Sequence, residues 1–442
     1  MRPVWKCSKI HFMVISSIDL KGGHVVQLKN GRELVLERDD ADALIAEFDR
    51  YGEVAVIDLD AALGNTNPKG DTVNTPLLKR LLRKGNVRVG GGIRSVRRAR
   101  ELVSLGAEKV IIGSAAWKKS PDGGDVMDAE FLEELAAAVG RQRIIISVDA
   151  VDGKIAVKGW TETISVPLVE GARQAERYCS ELLFTCVEKE GCMGGTDRAL
   201  AESLRGAVSC RVVVAGGVAS VAEVESLERL GCDVQLGMAL YTGAVPLKDA
   251  FVRCLNWQKS ELIPVVAQSA AGQVLMVGYA NREAFEKSFD TGRLTFWSRT
   301  RNVLWTKGET SGHFLELIRM RADCDRDTVL ATVVPHGGVC HTGSFTCFGS
   351  EAEEASSLER LYGTIAERFA DPRPGSYTAT LDGARVREKI EEEAEELCEA
   401  DGRGEVVWEA ADLLYFVSVL LYKEGVSWKD VRDELDRRHK EK

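Results

Sequence analysis

The sequence predicts a multidomain protein, in which an α/β barrel of eight parallel strands precedes a small α+β metal-binding domain and an all-α domain. Its 442 residues suffice for three domains at about 150 residues each. The first 255 residues contain an internal repeat. The net charge of −10 arises entirely at the end of the chain, because residues 351–442 hold 14 basic and 24 acidic residues. We place the domains at 1–255, 262–349 and 357–442.

Charge and composition exclude several classes of protein. The first 350 residues are balanced in charge, so they lack the basic surface with which nucleic-acid-binding proteins replace phosphate counterions. No apolar run reaches the roughly 20 residues that span a bilayer, and the N-terminus lacks the apolar stretch of a signal peptide. Eleven cysteines in such a chain are typical of reduced thiols. We expect a cytoplasmic protein that binds neither nucleic acid nor membranes, with a tail suited to divalent cations.

The internal repeat defines the barrel. Residues 89–113 align with 214–237, and residues 17–26 align with 147–156. The alignment pairs Gly91 and Gly92 with Gly216 and Gly217, Gly113 with Gly237, and Asp19 with Asp149. Short β-branched runs alternate with helical segments around these positions, which is typical of strand–loop–helix units. Such units in two similar halves favour a closed parallel barrel of eight strands over an open doubly wound sheet.

The repeated residues indicate a ligand site in this barrel. Each glycine follows a predicted strand, where a backbone without Cβ can approach a ligand and direct N–H groups at an anion. Barrels commonly bind phosphate with such loops, so two copies predict a ligand with a phosphate at each end. Asp19 and Asp149 end strands one and five. They place one carboxylate on each side of the barrel axis, as candidates for general acid and base.

The first part of the chain resembles the phosphoribosylformimino-AICAR-phosphate isomerase family over residues 12–250, in the motifs IDLKGG, VGGGIRS, IIGSAA, VDAVDGKIAVKGW, AGGV and LGMALY. This family catalyses an Amadori rearrangement without a metal or cofactor. The resemblance implies Asp19 as the base and Asp149 as the acid, supported by Trp160 and Thr185, and Ser114 among the phosphate-binding residues. The residues alone leave the two roles interchangeable.

Four positions depart from this family near the expected phosphate sites. Gln27, Ala215 and Met238 replace the usual Arg, Ser and Lys, and Glu190 replaces Asp. Two alternatives therefore stay open. In one, the barrel is a non-catalytic binding or assembly module. In the other, its specificity is altered and it also isomerises phosphoribosyl-anthranilate.

A metal signature marks the middle segment. Cys324, Cys340 and Cys347 provide three thiols, and His341 adjoins one of them. Three thiolates suit a zinc ion with a fourth position open for water. Because zinc lowers the pKa of water toward about 7, hydroxide becomes available at neutral pH, and His341 is a candidate general base.

An oxygen-rich motif surrounds the first of these cysteines. Asp323, Asp325 and Asp327 alternate around Cys324. In an extended strand, the three carboxylates would point one way and the thiol the other. Oxygen ligands suit magnesium and sulfur ligands suit zinc, so the segment is predicted to bind both ions.

The middle segment also carries candidates for binding the phosphate of a nucleotide, which are Arg299, Arg301, Lys307 and Ser311. The segment resembles phosphoribosyl-AMP cyclohydrolase over residues 264–349, in the motifs WSRTR, WTKGETSGH, DCDRD and CHTGSFTCF. The resemblance implies that the three thiols bind zinc and that the three aspartates bind magnesium. It also implies at least a homodimer, because the sites of this family are built across a dimer interface.

The acidic tail is predicted to be helical. Glu392 and Glu396 are four residues apart and Glu393 and Glu396 are three apart, so they lie on one helical face. Glu409 and Asp412 are three apart on the next helix. Stacked like charges repel unless a cation lies between them. The second pair lies within the apolar run WEAADLLYFVSVLL, where a buried acid is costly without a partner.

The tail resembles phosphoribosyl-ATP pyrophosphohydrolase, an all-α enzyme of the MazG-like type, over residues 358–439 in the motifs EExxE and ExxDLLY. The resemblance implies that these five carboxylates hold magnesium, which activates water and neutralises pyrophosphate. It also places Lys389 among the substrate-binding residues. Phe416 stands where most relatives have histidine.

The three resemblances name consecutive steps of histidine biosynthesis. The tail would convert phosphoribosyl-ATP to phosphoribosyl-AMP, the middle segment would open the adenine ring, and the barrel would isomerise the product. The hypothesis is a trifunctional enzyme, both hydrolase and isomerase, that binds phosphoribosyl nucleotides, zinc and magnesium and forms a homodimer through its two C-terminal domains. The rival hypothesis is a bifunctional hydrolase with a non-catalytic barrel or one of altered specificity.

Overall fold

The computed structural model describes residues 13–349, 357–372 and 376–440. They form two compact units. The first comprises Met1–Ala267 and Val277–His336 as far as these are described, and the second comprises Gln268–Met276 and Gly337–Lys442 with the same restriction. Residues 350–356, between the second and third predicted domains, lie outside the described residues, as do the first twelve and last two residues of the predicted domains.

Eight parallel strands close into a barrel in the first unit. Most of their residues are buried and β-branched or aliphatic, as expected of parallel strands covered on both faces. The last strand returns to the first, where Val234 pairs with Val14. Numbered along the chain, the barrel strands are β1 (Val14–Lys21), β4 (Val54–Asp58), β5 (Val87–Gly90), β6 (Lys109–Ile112), β9 (Ile144–Ser147), β13 (Glu181–Thr185), β14 (Arg211–Ala215) and β15 (Asp233–Leu236). The predicted eight-stranded parallel barrel is confirmed.

Helices follow these strands, and the longer ones cover the outside of the barrel. They are α1 (Ala41–Phe48), α2 (Leu59–Ala62), α3 (Thr75–Leu82), α4 (Val96–Ser104), α5 (Ala129–Val139), α6 (Leu168–Ala175), α7 (Arg198–Ala207), α8 (Val221–Arg229), α9 (Met238–Tyr241) and α10 (Leu247–Cys254). Short strands extend the loops, namely β2 (His24–Lys29), β3 (Glu33–Arg38), β7 (Trp117–Lys119), β8 (Asp125–Met127), β10 (Ala150–Val151), β11 (Lys154–Val157) and β12 (Glu162–Pro167). Short 3-10 turns lie at Asp49–Tyr51, Ser114–Ala116, Arg141–Arg143 and Val187–Lys189.

The two halves of the repeat adopt the same local structure. Ser95 caps α4 by accepting a hydrogen bond from the backbone N–H of Arg98, and Ser220 caps α8 by accepting one from Glu223. Both serines have a φ of −150°. A serine here satisfies a backbone donor that the first helical turn leaves free. The duplication in the sequence is therefore also a duplication of strand, loop and capped helix.

The interior of the barrel is filled below its C-terminal end. Aliphatic side chains occupy the centre, namely Ile15, Ala55, Ile111, Ile145, Leu183, Val213 and Ala215. Nearer the N-terminal ends of the strands, the buried Arg88 forms ion pairs with Glu53 and, at 2.9 Å, with Glu181. This packing supports the loops at the C-terminal ends of the strands, where barrels place their ligand sites.

A smaller α+β segment follows the barrel. A sheet with the order β17-β16-β21-β20 is accompanied by one helix and a hairpin. The elements are β16 (Ile263–Ser269), β17 (Val274–Ala280), α11 (Arg282–Thr291), β18 (Thr295–Ser298), β19 (Val303–Thr306), β20 (Leu315–Ala322) and β21 (Val329–Pro335). Within the first unit, Phe289 of α11 stacks on Tyr51 at 4.4 Å between ring centroids and contacts Phe251 of α10 at 5.4 Å. Arg319 of β20 donates to the Asp49 carboxylate at 3.1 Å.

The end of the chain is helical and belongs to the second unit. Its helices are α12 (Ser357–Ala370), α13 (Tyr377–Thr380), α14 (Gly383–Glu399), α15 (Gly402–Glu424) and α16 (Trp428–Lys440). Their apolar core consists of Ile365, Leu381, Val386, Phe416 and Val419. The predicted multidomain architecture, with a barrel, a smaller segment and a helical end, is confirmed. Among the described helices, none is both long enough and apolar enough to cross a membrane.

Candidate functional site

A single cavity at the C-terminal ends of the barrel strands gathers most of the residues predicted for the barrel. Ten of the eleven line it, namely Asp19, Gly91, Gly92, Gly113, Ser114, Asp149, Trp160, Thr185, Gly216 and Gly237. Gly217 lines a smaller adjoining space together with Met238. The repeat therefore places both aspartates and both sets of glycine loops around one ligand-sized space.

Asp19 faces this cavity from β1. Ser17, two residues earlier on the same face of the strand, donates a hydrogen bond of 2.9 Å to its carboxylate. The phenol of Tyr241 in turn donates to the Ser17 carbonyl at 3.0 Å. Desolvation by the surrounding barrel raises the pKa of Asp19 to about 6, and the Ser17 bond opposes that rise. A carboxylate with this pKa is ionised at neutral pH yet basic enough to accept a proton.

Asp149 follows β9 and faces the same cavity. The indole Nε1 of Trp160 donates a hydrogen bond of 2.7 Å to its carboxylate. Desolvation raises the pKa of Asp149, while hydrogen bonds from Trp160, Thr185 and Ser147 oppose the rise. The two predicted supporting residues, Trp160 and Thr185, are thus both neighbours of Asp149.

A third acid, Glu190, lies at the same cavity. Desolvation, followed by the charges of Asp19 and Asp149, raises the pKa of Glu190 to about 8. The cavity is therefore one in which three carboxyl groups influence each other and in which the third holds its proton at neutral pH. Two acids whose environments separate their pKa values are a common arrangement for acid and base roles.

The glycine loops pack against the backbone of the preceding loop. Gly91 has a φ of +102°, and a Cβ there would lie 2.1 Å from the Asp58 carbonyl oxygen. Its counterpart Gly216 has a φ of +86°, and a Cβ would lie 2.6 Å from the Cys186 carbonyl oxygen. Glycine is therefore required for packing at both positions. The predicted phosphate contacts of these loops stay a prediction.

Three of the departures from the family lie beside the second glycine set. Ala215 and Glu190 line the main cavity, and Met238 lines the adjoining space. The fourth, Gln27, donates to the Val26 carbonyl at 3.0 Å, and a Cβ on Gly237 would lie 2.9 Å from its Oε1. The second half of the barrel mouth thus differs from its first half in the side chains that a ligand would meet.

The predicted magnesium ligands of the middle segment converge. One carboxylate oxygen from each of Asp323, Asp325 and Asp327 lies within 4.8 Å of the others. The expectation that they lie along an extended strand is wrong, because residues 323–327 form the turn between β20 and β21. The Asp323 N–H donates to Thr328 at 2.9 Å, and Arg326 has a φ of +60°. The turn brings the three carboxylates together, and such a donor set suits magnesium.

The predicted zinc ligands lie in different units. Cys324 is exposed on the turn in the first unit, whereas Cys340 and Cys347 belong to the second. Hydrogen bonding from Thr342 lowers the pKa of the Cys340 thiol, and a side-chain hydrogen bond with Cys347 adds to this effect. The Nδ1 atom of His341 is 3.8 Å from the Cys340 sulfur. The paired thiols Cys340 and Cys347, with lowered pKa at one of them, are chemically suited to zinc.

The predicted phosphate-binding residues lie on two loops of the middle segment. Arg299 stacks its guanidinium on Tyr279 at 3.8 Å, and Arg301 donates to Ser298 at 3.2 Å. Lys307 is buried and donates to the His313 carbonyl at 3.3 Å, while Ser311 is exposed and accepts from the His313 N–H at 3.3 Å. The arginines therefore follow β18 and the other two follow β19, and their shared role stays a prediction.

The helical tail brings three of its five predicted carboxylates together. Oxygens of Glu393 and Glu396 on α14 and of Glu409 on α15 lie within 4.8 Å of one another. The pKa of Glu409 is raised first by desolvation and then by the negative charges of Glu396, Glu393 and Asp412. Asp412, the fourth predicted carboxylate, therefore also acts on this cluster. Glu392 is exposed and pairs instead with Lys389 at 2.7 Å. The acids of α15 are half-buried rather than buried, because part of this helix faces solvent.

The sequence motifs did not single out several residues that lie around these sites. Ser17 and Ser147 each precede a cavity aspartate by two residues, and the signal was the motif S-x-D in both copies of the repeat. Lys259, which contacts Asp325 and Asp327 at 2.5 Å each, gave no comparable signal because it lies more than 60 residues before them.

Comparisons with known proteins divide the chain in the same order. The family profile described as histidine biosynthesis protein matches residues 13–246, that of phosphoribosyl-AMP cyclohydrolase matches 276–349, and that of phosphoribosyl-ATP pyrophosphohydrolase matches 358–439.

Curated relatives share a smaller part of the chain. The chain is 43% identical over 204 residues to the histidine biosynthesis bifunctional protein HisIE of Photobacterium profundum. The aligned region covers 43% of this chain and 99% of that protein. It is 44% identical over 198 residues to the protein of the same name from Vibrio cholerae, covering 42% and 94%. For the protein of the same name from Escherichia coli, the identity is 43% over 196 residues, and the aligned region covers 42% of this chain and 96% of that protein.

Proposed function

The chain belongs to the histidine biosynthesis protein family, and we propose that it catalyses three consecutive steps of that pathway. It carries cyclohydrolase and pyrophosphohydrolase domains after a barrel of the isomerase type. In the proposed sequence the helical tail hydrolyses phosphoribosyl-ATP, the middle segment opens the ring of phosphoribosyl-AMP, and the barrel isomerises the resulting aminoaldose. The observation that carries the proposal is that Asp19 and Asp149 line one cavity in a chain that also contains the domains for the two preceding steps.

The proposed chemistry in the barrel is general acid–base catalysis. One group protonates the sugar ring oxygen, and another removes the proton next to the imine that forms. Asp19, with a pKa of about 6, suits the base because it is ionised at neutral pH. Burial raises the pKa of Asp149 and so favours the protonated form that the acid role requires, while the Trp160 indole fixes the orientation of this carboxyl group. The pKa of Glu190 is about 8, so this carboxyl group keeps its proton at neutral pH. It therefore adds no third negative charge beside an anionic substrate.

For the middle segment we propose ring opening by water. Cys340 and Cys347 would hold zinc, which would supply acidification of water when bound. Asp323, Asp325 and Asp327 would hold magnesium. His341, next to Cys340, would accept the proton of the attacking water.

For the helical tail we propose pyrophosphate hydrolysis. Glu393, Glu396 and Glu409 form the cluster that would hold magnesium, with Asp412 and Glu392 beside it. The ion supplies charge neutralisation at the leaving pyrophosphate. Lys389, which contacts Glu392 at 2.7 Å and Glu393 at 3.4 Å, lies at the edge of this cluster, where it would bind the anionic substrate.

We also propose that the protein acts as a homodimer through its two C-terminal domains. Val407 and Trp408 of α15 are exposed, and aromatic residues such as tryptophan are enriched at protein interfaces. The expected partners of the monomer are a second copy of the chain and phosphoribosyl nucleotides.

A second candidate function is supported by the barrel mouth itself. Gln27, Glu190, Ala215 and Met238 surround the second glycine set. In this alternative the barrel is a scaffold, or accepts another substrate such as phosphoribosyl-anthranilate, and the two hydrolases are the active parts.

Incubation of the full-length protein with phosphoribosyl-ATP, followed by mass spectrometry, separates these candidates. The trifunctional proposal expects the wild type to proceed to the aminoketose and Asp19→Asn to stop at the ring-opened aminoaldose. If the wild type also stops at the aminoaldose, the barrel is not an isomerase of this substrate. Competition with phosphoribosyl-anthranilate then tests altered specificity.

The metal content of the purified protein tests the middle segment. We expect about one zinc ion per chain in the wild type and its loss in Cys340→Ala.

A further inference from the structure

The turn that carries the three aspartates is tied to the barrel as well as to its own sheet. Asn256, two residues after α10, donates its backbone N–H to the Arg326 carbonyl at 2.8 Å. Its side-chain Nδ2 donates to the Asp325 carbonyl at 3.1 Å. Both acceptors belong to the turn between β20 and β21, so one residue of the connector fixes two consecutive peptide groups among the aspartates.

The side chain of Arg326 reaches the barrel itself. It donates to the Cys254 carbonyl at the end of α10 at 3.0 Å, and it forms an ion pair with Glu228 of α8. Both members of this ion pair are largely shielded from solvent, with side-chain exposures of 21% and 17%. The pair is therefore screened less than an exposed one.

The backbone of Arg326 explains why such an anchor is needed. Its φ of +60° is a left-handed conformation that costs free energy for a residue with a Cβ. Such a conformation persists where neighbouring contacts hold it. Here it reverses the chain between Asp325 and Asp327 and so allows their carboxylates to approach that of Asp323 within 4.8 Å.

We propose that Glu228 and Asn256 are positioning residues for a divalent cation at Asp323, Asp325 and Asp327. The proposal rests on the proposed magnesium site of this turn. Neither residue carries a ligand atom of the site. They hold the backbone on which the ligands are mounted, and partners outside the ligand shell tune metal affinity by orienting the ligands. The barrel thereby supports the cyclohydrolase segment whether or not it is itself an enzyme.

The test is a titration of the zinc-loaded, full-length protein with Mn²⁺ as a paramagnetic substitute for Mg²⁺, with free Mn²⁺ measured by electron paramagnetic resonance. All proteins carry Glu396→Gln and Glu409→Gln, which removes the carboxylate cluster of the tail. We expect Glu228→Ala and Asn256→Ala to weaken Mn²⁺ binding about tenfold or more. The matched control is Glu225→Ala, since Glu225 lies on the same helix and pairs with Arg253, away from the turn. Its affinity is expected to stay at the level of the parent protein.

Each other outcome overturns a defined part of the proposal. If Asp325→Asn abolishes Mn²⁺ binding but Glu228→Ala and Asn256→Ala leave it unchanged, the positioning role is wrong and the metal site stands. If Glu225→Ala weakens binding as much as Glu228→Ala, the effect is general destabilisation and the positioning role is again wrong. If Asp325→Asn leaves Mn²⁺ binding unchanged, the turn binds no cation and both proposals fall.

Discussion

Ser17 donates a 2.9 Å hydrogen bond to Asp19, two residues further along the same barrel strand. Because side chains of a strand alternate between its faces, a serine two residues before an aspartate lies beside it. The hydroxyl stabilises the ionised carboxylate and limits the rise that desolvation imposes on the pKa of Asp19, which is about 6. The same S-x-D arrangement recurs at Ser147 and Asp149.

Removal of this hydroxyl should shift the pH dependence of isomerisation. In Ser17→Ala the carboxylate loses a donor, so the pKa of Asp19 rises further, and the acidic limb of kcat/KM moves to higher pH by about one unit. The measurement is the rate of aminoketose formation between pH 5 and 8. Ser16→Ala is the control, since Ser16 is buried on the neighbouring position of the same strand and faces away from Asp19. An unshifted limb in Ser17→Ala would show that Asp19 is not the group that titrates.

Glu190 should make the barrel less stable as the pH rises. The pKa of this carboxyl is about 8 in the folded protein against an ordinary value of 4.5, so between these values the folded state holds a proton that the unfolded chain has lost. Stability therefore falls as the pH rises from about 4.5 to 8. Glu190→Gln cannot ionise, so its advantage over the wild type should be small at pH 5 and largest above pH 8.

Heat denaturation at pH 5, 7 and 8.5 tests this expectation, with a shift in Tm of about 2–4 °C for each kcal/mol of stabilisation. Glu202→Gln serves as the control, because Glu202 lies exposed on α7. A Tm difference between Glu190→Gln and wild type that does not change with pH would contradict the assignment.

Local patterns predicted the barrel and most of its mouth, because strand alternation, glycine loops and helix caps depend on neighbouring residues. Ser95 and Ser220, for example, are readable as caps from sequence. The geometry at 323–327 was not predictable in this way. Its turn depends on Arg326, whose partners Glu228 and Cys254 precede it by about 100 and 70 residues. Contacts of that span follow from the packing of one domain on another, which residue spacing does not encode.

Lys259 should compete with a cation at the same turn. Its ammonium lies 2.5 Å from carboxylate oxygens of both Asp325 and Asp327, so a divalent cation must overcome both repulsion and the loss of this ion pair. Lys259→Met is expected to strengthen Mn²⁺ binding severalfold in the titration described above. Lys248→Met is the control, because Lys248 pairs with Asp290 at 2.7 Å. Equal or weaker binding in Lys259→Met would mean that the lysine supports the site instead of opposing it.

The carboxylate cluster of the tail should be essential for pyrophosphate hydrolysis. Glu409→Gln removes one of three acids that lie within 4.8 Å of one another across α14 and α15, so both Mg²⁺ affinity and turnover of phosphoribosyl-ATP are expected to fall. The loss should exceed the roughly 10–100-fold effect of removing a partner outside the ligand shell.

Glu395→Gln is the matched control, since Glu395 is exposed on α14 outside this cluster. Pyrophosphate release and Mn²⁺ binding are measured in parallel, and ring opening of supplied phosphoribosyl-AMP should be unaffected, because it is assigned to the middle segment. Retained hydrolysis in Glu409→Gln, with normal ring opening, would move the pyrophosphohydrolase site away from these two helices.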